Sequence, residues 1–222
     1  MNFGLSFSYI FQDRDWFKKL ILPGLCMLIP IVGWMVALGW SLKAAKNVMD
    51  GAEAPLPDLD FGNDILRGLF AFLIGFVYSI PVSILTSLSG WFGNWMFFDN
   101  EIVLIGTGIV TSVIGLLAFC LSLFTTLLTV AATAHYIAQD DIGAAFRFGE
   151  VWDVLKANVG DWLLVVVGVF LAVGIIGPLG TIACVIGVVL TLTYGLAVSG
   201  HLMGQAYARS RPQVVAPELI EG

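Results

Sequence analysis

Two histidines, three cysteines and one short run of carboxylates are the groups in this chain with the chemistry to ligate or catalyse. His135 and His201 stand in apolar surroundings, and two imidazoles can hold a haem or a metal ion. Neither belongs to a C-x-x-C-H or H-E-x-x-H pattern, so both read as hydrogen-bonding groups near a membrane interface. Asp58, Asp60 and Asp64, with Asn63 and Gly62, gather oxygen ligands in one stretch. A calcium loop starting at Asp58 needs glycine at its sixth place and glutamate at its twelfth, where this chain has Asn63 and Leu69. The stretch therefore reads as a solvated loop. Cys26, Cys120 and Cys184 lie far apart in apolar runs, where a thiol behaves as a small hydrophobe. With no phosphate loop, nucleophile elbow or paired intramembrane carboxylates, no catalytic residue, cofactor or metal site is expected, and the chain does not read as an enzyme.

Two sets of weaker groups have helical spacing. Ala183, Gly187, Thr191, Gly195 and Ser199 recur every fourth residue, which on a helix makes one stripe where backbones can approach closely. Ser122, Thr125, Thr126, Thr129 and Thr133 share another helical face. Their hydroxyls either bond to carbonyls of their own helix or line a wet cavity.

The elements that carry these residues are set by composition. The 222 residues are 59% hydrophobic and 12% charged, with a mean hydropathy of +0.94. Residues 68–98, 102–139 and 162–208 contain no Asp, Glu, Lys or Arg. Each run exceeds the ~20 apolar residues that cross a bilayer. The lipid bilayer is thus the first partner. Ten Lys and Arg against sixteen Asp and Glu leave a net charge of −6 without a basic cluster, which argues against nucleic acid. Residues 20–42 form a shorter run broken at Pro23 and at Pro30 to Gly33. It is either one kinked span or a short, re-entrant hairpin. The hairpin puts all ten basic residues on one side, as positive-inside bias prefers.

Trp91, Trp95, Phe97 and Phe98, followed by Asp99 and Glu101, read as an outer loop with aromatic rings at headgroup depth. Phe148, Val151, Trp152, Leu155 and Val159 mark the apolar face of an amphipathic surface helix before Asp161-Trp162. Phe3, Phe7 and Phe11 precede Asp15-Trp16 in the same way, which suggests a weak internal repeat of surface helix, Asp-Trp and hairpin. The last long run holds two crossings that turn at Gly177-Pro178-Leu179-Gly180. The fold expected is an all-α integral membrane bundle of about six embedded helices plus amphipathic surface helices. It forms one domain over residues 1–208, with a flexible tail over 209–222.

Several strings add a resemblance: Gly39-Trp40-Ser41-Leu42, Asp50-Gly51 with Leu56-Pro57, Phe61-Gly62 with Gly68-Leu69, and Tyr78-Ser79-Ile80-Pro81. With Ala145-Phe146-Arg147 and the run from His201 to Tyr207, the chain resembles an uncharacterised family of prokaryotic multi-pass membrane proteins, catalogued only as a domain of unknown function. The resemblance implies a prokaryotic cytoplasmic membrane and carries over no catalytic residue. The function expected is a non-catalytic membrane subunit or scaffold that meets a membrane-protein partner or another copy of itself. The alternative is a channel or uncoupled carrier for a small solute or lipid.

The charge asymmetry makes a topological prediction. In a variant without the native cysteines, an impermeant thiol reagent on intact cells should label a cysteine at Asn94 and leave one at Asn2 unlabelled. Labelling at Asn2 would contradict two cytoplasmic termini.

Overall fold

The computed structural model describes residues 1–53, 56–94 and 101–210. Among these the regular elements are all helical: α1 (Phe3–Ser8), α2 (Trp16–Cys26), α3 (Val32–Met49), α4 (Phe61–Gly93), α5 (Glu101–Gln139), α6 (Phe148–Ala157), α7 (Val159–Val169), α8 (Gly177–Leu179) and α9 (Cys184–Ser210). Four helical segments are long and apolar enough to cross a membrane: Phe61–Gly93, Glu101–Gln139, Val159–Ile182 and Ile186–Ser210. The other two helices of the expected bundle are shorter or more polar: α2 has only 11 residues, and the 18-residue α3 carries Lys43 and Lys46. These two form a helical hairpin between residues 20 and 42. Its turn includes Ile31 at φ 66°, a strained conformation for a β-branched residue, and Gly33 packs against the carbonyl of Cys26 with no room for a side chain.

The last two of these segments do not turn at Gly177 to Gly180. Pro178 lacks an N–H, and the preceding turns widen into a π-helix over Phe170–Ile176 that lets the chain continue through α8 and a 3₁₀ turn, Gly180–Ala183. The reversal comes after Ile182, and Cys184 takes φ 55° at the start of α9. At the other end α9 runs to Ser210, and Arg209 pairs with Asp161 at 3.0 Å. Residues 211–222 lie outside the described residues, as do Trp95, Phe97 and Phe98 of the expected outer loop; Trp91 is exposed at the end of α4.

Helix α3 is the centre of the packing. Val36, Ala37, Trp40, Leu42, Ala44 and Ala45 are buried, and α3 packs against α2, α4 and α9. Glycines set the two main distances. A methyl group on Gly39 would overlap the carbonyl of Asp64 on α4, and one on Gly68 of α4 would overlap the carbonyl of Met35. On the opposite side, Gly200 and Gly204 of α9 meet the carbonyls of Ser41 and Ala45, the second at 2.6 Å from an added Cβ. Backbones in this kind of contact gain dispersion energy that lipid cannot offer in exchange.

The alternation of helices brings the start of α2, the end of α3, the start of α4 and the ends of α5 and α9 together. All nine described Lys and Arg residues belong to this charged end. Asn2 is tied to it as well, since its N–H donates to Gln205 Oε1 at 2.7 Å.

These contacts predict unequal tolerance of bulk. Gly39→Leu or Gly200→Leu should lower the melting temperature in detergent by roughly 5 °C or more, the scale of 1–3 kcal/mol of overpacking. Gly115→Leu, where an added Cβ meets nothing within 4 Å, should change it little.

Candidate functional site

The small-residue stripe packs inside the chain. Ala183 ends the 3₁₀ turn ahead of α9 and so does not share the helix of the other four. A Cβ on Gly180 would overlap the carbonyl of Gly187 and the hydroxyl of Thr191, and one on Gly195 would stand 2.7 Å from the Ala172 carbonyl. Thr191 Oγ1 donates to the carbonyl of Gly177 at 2.7 Å, across to α8, and to Gly187 at 2.9 Å on its own helix. Ser199 is buried and donates to Gly195. Closeness is not peculiar to this stripe. Gly168 presses on Leu202, and the Gly200/Gly204 pair one position along α9 makes the contact with α3. Gly-x-x-x-Gly spacing is a sequence signal of close helix approach.

On α5, each hydroxyl of the second face bonds to its own helix. Ser122 donates to Phe119, Thr125 and Thr126 to Ser122, Thr129 to Thr125 and Thr133 to Thr129, all at 2.7–3.1 Å. Four of them, Ser122, Thr125, Thr126 and Thr129, also line a cavity of about 300 Å³ between α4 and α5, with Gly75, Tyr78, Ser79 and Val82 opposite. The fifth, Thr133, is buried at the charged end.

The charged end holds the densest polar network. Asp64 is fully buried in the first turn of α4, where it accepts the N–H of Asp60 at 2.8 Å and lies 3.4 Å from Lys43 and 3.6 Å from Arg67. Asp60 caps α4 and accepts from Asn63, which holds its carboxyl below the usual range. The carboxylates of the aspartate-rich stretch thus serve the start of α4. Lys46 donates to the carbonyl of Ala138 and sits 3.6 Å from Asp140.

Both histidines are buried there. His135 bridges three helices: its Nδ1 is 2.9 Å from the Tyr207 hydroxyl of α9, and its Nε2 donates to Glu150 of α6 at 2.9 Å. His201 lies under the N-terminal segment, its ring stacked on Tyr9 at 4.1 Å and its Nδ1 2.8 Å from Ser6 Oγ. Tyrosine hydroxyls fasten the surface segments further: Tyr9 donates to Ala197, Tyr194 to Phe7 and Tyr78 to Ala145. On α6, Val151 and Leu155 are buried, while Phe148 and Trp152 remain exposed. The amphipathic helix is thus docked on one flank and open on the other.

Helices that satisfy their polar groups at one end, expose broad apolar sides and include four segments fit to cross a membrane define a multi-pass membrane-type helical bundle. The chain belongs to the DUF4013 family, described as a protein of unknown function, whose profile matches residues 22–199. No curated protein and no solved structure matches the chain. The strings that carry the family resemblance meet in space. Trp40 donates to Pro57 at 2.9 Å, Gly39 meets the turn of α4 that leads to Gly68, and Tyr78 reaches Ala145.

The hydrogen bond from His135 holds the carboxyl of Glu150 below its ordinary range, with Arg147 reinforcing it. A carboxyl depressed in the folded state stabilises it above the ordinary glutamate pKa, and that contribution disappears as pH falls through and below about 4.5. A parent protein should therefore melt higher than Glu150→Gln at pH 7, with the difference closing below pH 4.

Proposed function

We propose that this protein is a non-catalytic multi-pass subunit, or scaffold, of a membrane protein assembly in a prokaryotic cytoplasmic membrane, with both termini cytoplasmic and the α2–α3 hairpin embedded beside the four spans. The observation that supports the reading is the α4–α5 hairpin. The apolar window of α9 is 61% buried, against 22% for α4 and 11% for α5. No residue of α4 beyond Tyr78 is buried, although the helix continues to Gly93. Along that outer stretch Ser79, Ser83 and Ser87 form the floor of a groove of about 460 Å³ flanked by Ile80, Ile84, Leu88 and Trp91. Small residues between apolar flanks suit the approach of another transmembrane helix.

The hydroxyl-lined cavity between α4 and α5 favours a second reading, a channel or uncoupled carrier for a small solute or lipid. Every serine and threonine hydroxyl that lines it already has an acceptor on its own helix, and Tyr78 donates to Ala145, so the polar lining supports a helix surface more than a solute path.

The two readings separate in reconstituted vesicles and in native membranes. We expect no flux of ions, small polar solutes or fluorescent lipid above empty vesicles. A photo-crosslinker at Ile84 should give one protein adduct of reproducible mass, whereas one at the lipid-side Ile182 should not. Parental flux abolished by replacing Thr125 and Thr129 with valine, with the fold intact, would reject the scaffold and establish the conduit.

A further inference from the structure

The cavity of about 300 Å³ between α4 and α5 continues into a second of about 290 Å³, since Val82 and Ser122 line both. The two make one crevice along the hairpin, reaching from Gly75 to Ser89 of α4. At ~1.5 Å per residue this stretch is roughly 21 Å long, against the ~30 Å of a hydrocarbon core.

The hydrogen bonds decide what the crevice presents to anything that enters it. A hydroxyl has one proton to donate and two lone pairs that accept. Here every proton is committed. Ser79, Thr86, Ser122, Thr125, Thr126 and Thr129 each donate to a carbonyl of their own helix at 2.7–3.1 Å. Ser89 reaches the Thr111 carbonyl of α5 at 3.5 Å, and Tyr78 donates to Ala145 at 2.8 Å. Among the described residues none of these oxygens accepts a hydrogen bond, and no charged side chain lines the crevice. It offers acceptors only.

That restriction specifies the chemistry of an occupant. Lipid chains carry no donors and leave the lone pairs unmatched. Serine and threonine on an approaching membrane helix close onto their own carbonyls in the same way, so they arrive as acceptors too. Asparagine and glutamine are different. Each side-chain amide brings two N–H donors, and in lipid those donors are costly until they meet an acceptor on another helix. Residues 20–42, 68–93, 102–138 and 162–204 of this chain contain no Asn or Gln. The apolar runs of a second copy therefore lack the complementary side chain.

We infer that the crevice between α4 and α5 docks a transmembrane helix of a different protein, whose Asn or Gln side chains donate to the hydroxyl oxygens of Ser122, Thr125 and Thr129. This rests on the scaffold reading and adds the chemistry by which a partner is selected.

Full-length protein in phosphatidylcholine vesicles provides the test. A Leu-rich transmembrane peptide, dilute enough in lipid to stay monomeric, is followed by energy transfer to a dye on Asn94→Cys in the variant without native cysteines. Three peptides differ at one central position, which is Gln, Ser or Leu. The Gln peptide should associate about fivefold more tightly than the Leu peptide, and the Ser peptide no more tightly than Leu. Thr125→Val with Thr129→Val keeps the shape of the crevice and should erase the Gln advantage, whereas Ser83→Ala with Ser87→Ala, in the neighbouring groove, should preserve it. The melting temperature in micelles checks the fold of the valine variant, and the comparison of three peptides on the parent stands without it. Equal binding of the Gln and Leu peptides, a Ser peptide that binds as well as Gln, or a Gln advantage that survives in the folded valine variant would overturn the inference. A protein adduct at Ile84 in native membranes beside such a result would leave the scaffold reading in place, so the two fail separately.

Discussion

Backbone-to-backbone approach at α3 is the constraint on which the rest of the molecule depends. Lipid chains are as apolar as leucine, so a membrane helix gains little from burying apolar area against a neighbour, and close dispersion contact takes that role. Gly39 and Gly68 bring α4 against one side of α3, and Gly200 and Gly204 bring α9 against the other. Residues that follow from those distances are the chemically interesting ones. Asp64, one turn before Gly68, comes within reach of Lys43, and Trp40 is sealed with its indole N–H on the Pro57 carbonyl. His201 and Gln205, each one place beyond a contact glycine, turn toward the N-terminal segment.

The charged end is built by a different economy. Groups buried there are costly unless paired, and no buried side-chain N or O atom among the described residues is left without a partner. Long-range hydroxyl and amide bonds perform much of this work, joining α1 to α9, α4 to the turn before α6, and α5 to both α6 and α9. Such bonds hold amphipathic segments that could not stay in place by apolar area alone, since Phe148 and Trp152 remain open while Val151 and Leu155 are covered.

The far halves of α4 and α5 contrast with both regions. Their 33 and 39 residues outrun the 18 of α3, so beyond Tyr78 the α3 side of α4 has no third helix to cover it. Most hydroxyls there close onto carbonyls of their own helix, while Ser89 reaches the Thr111 carbonyl of α5, and they shape grooves without creating unsatisfied groups.

Composition and charge placement by themselves determined the all-α class, the runs long and apolar enough to cross a membrane and the amphipathic helix before Asp161, because exclusion of charge and a 3.6-residue period are local properties of the chain. The i+4 stripe on α9 was legible too, as was the hydroxyl face of α5. Tertiary structure alone decided which of these meet. Pro178 looked like a turn, yet a π-helix ahead of it absorbed the missing N–H and moved the reversal beyond Ile182. Gly39 and Gly68 carry no pattern on their own, since their spacing becomes meaningful only when two helices cross at that level. Beside the local contact of His201 with Gln205, the histidines pair with residues 15 to 195 positions away. Pairing at such separations depends on how the helices cross and in what register, and no local property of the sequence encodes it.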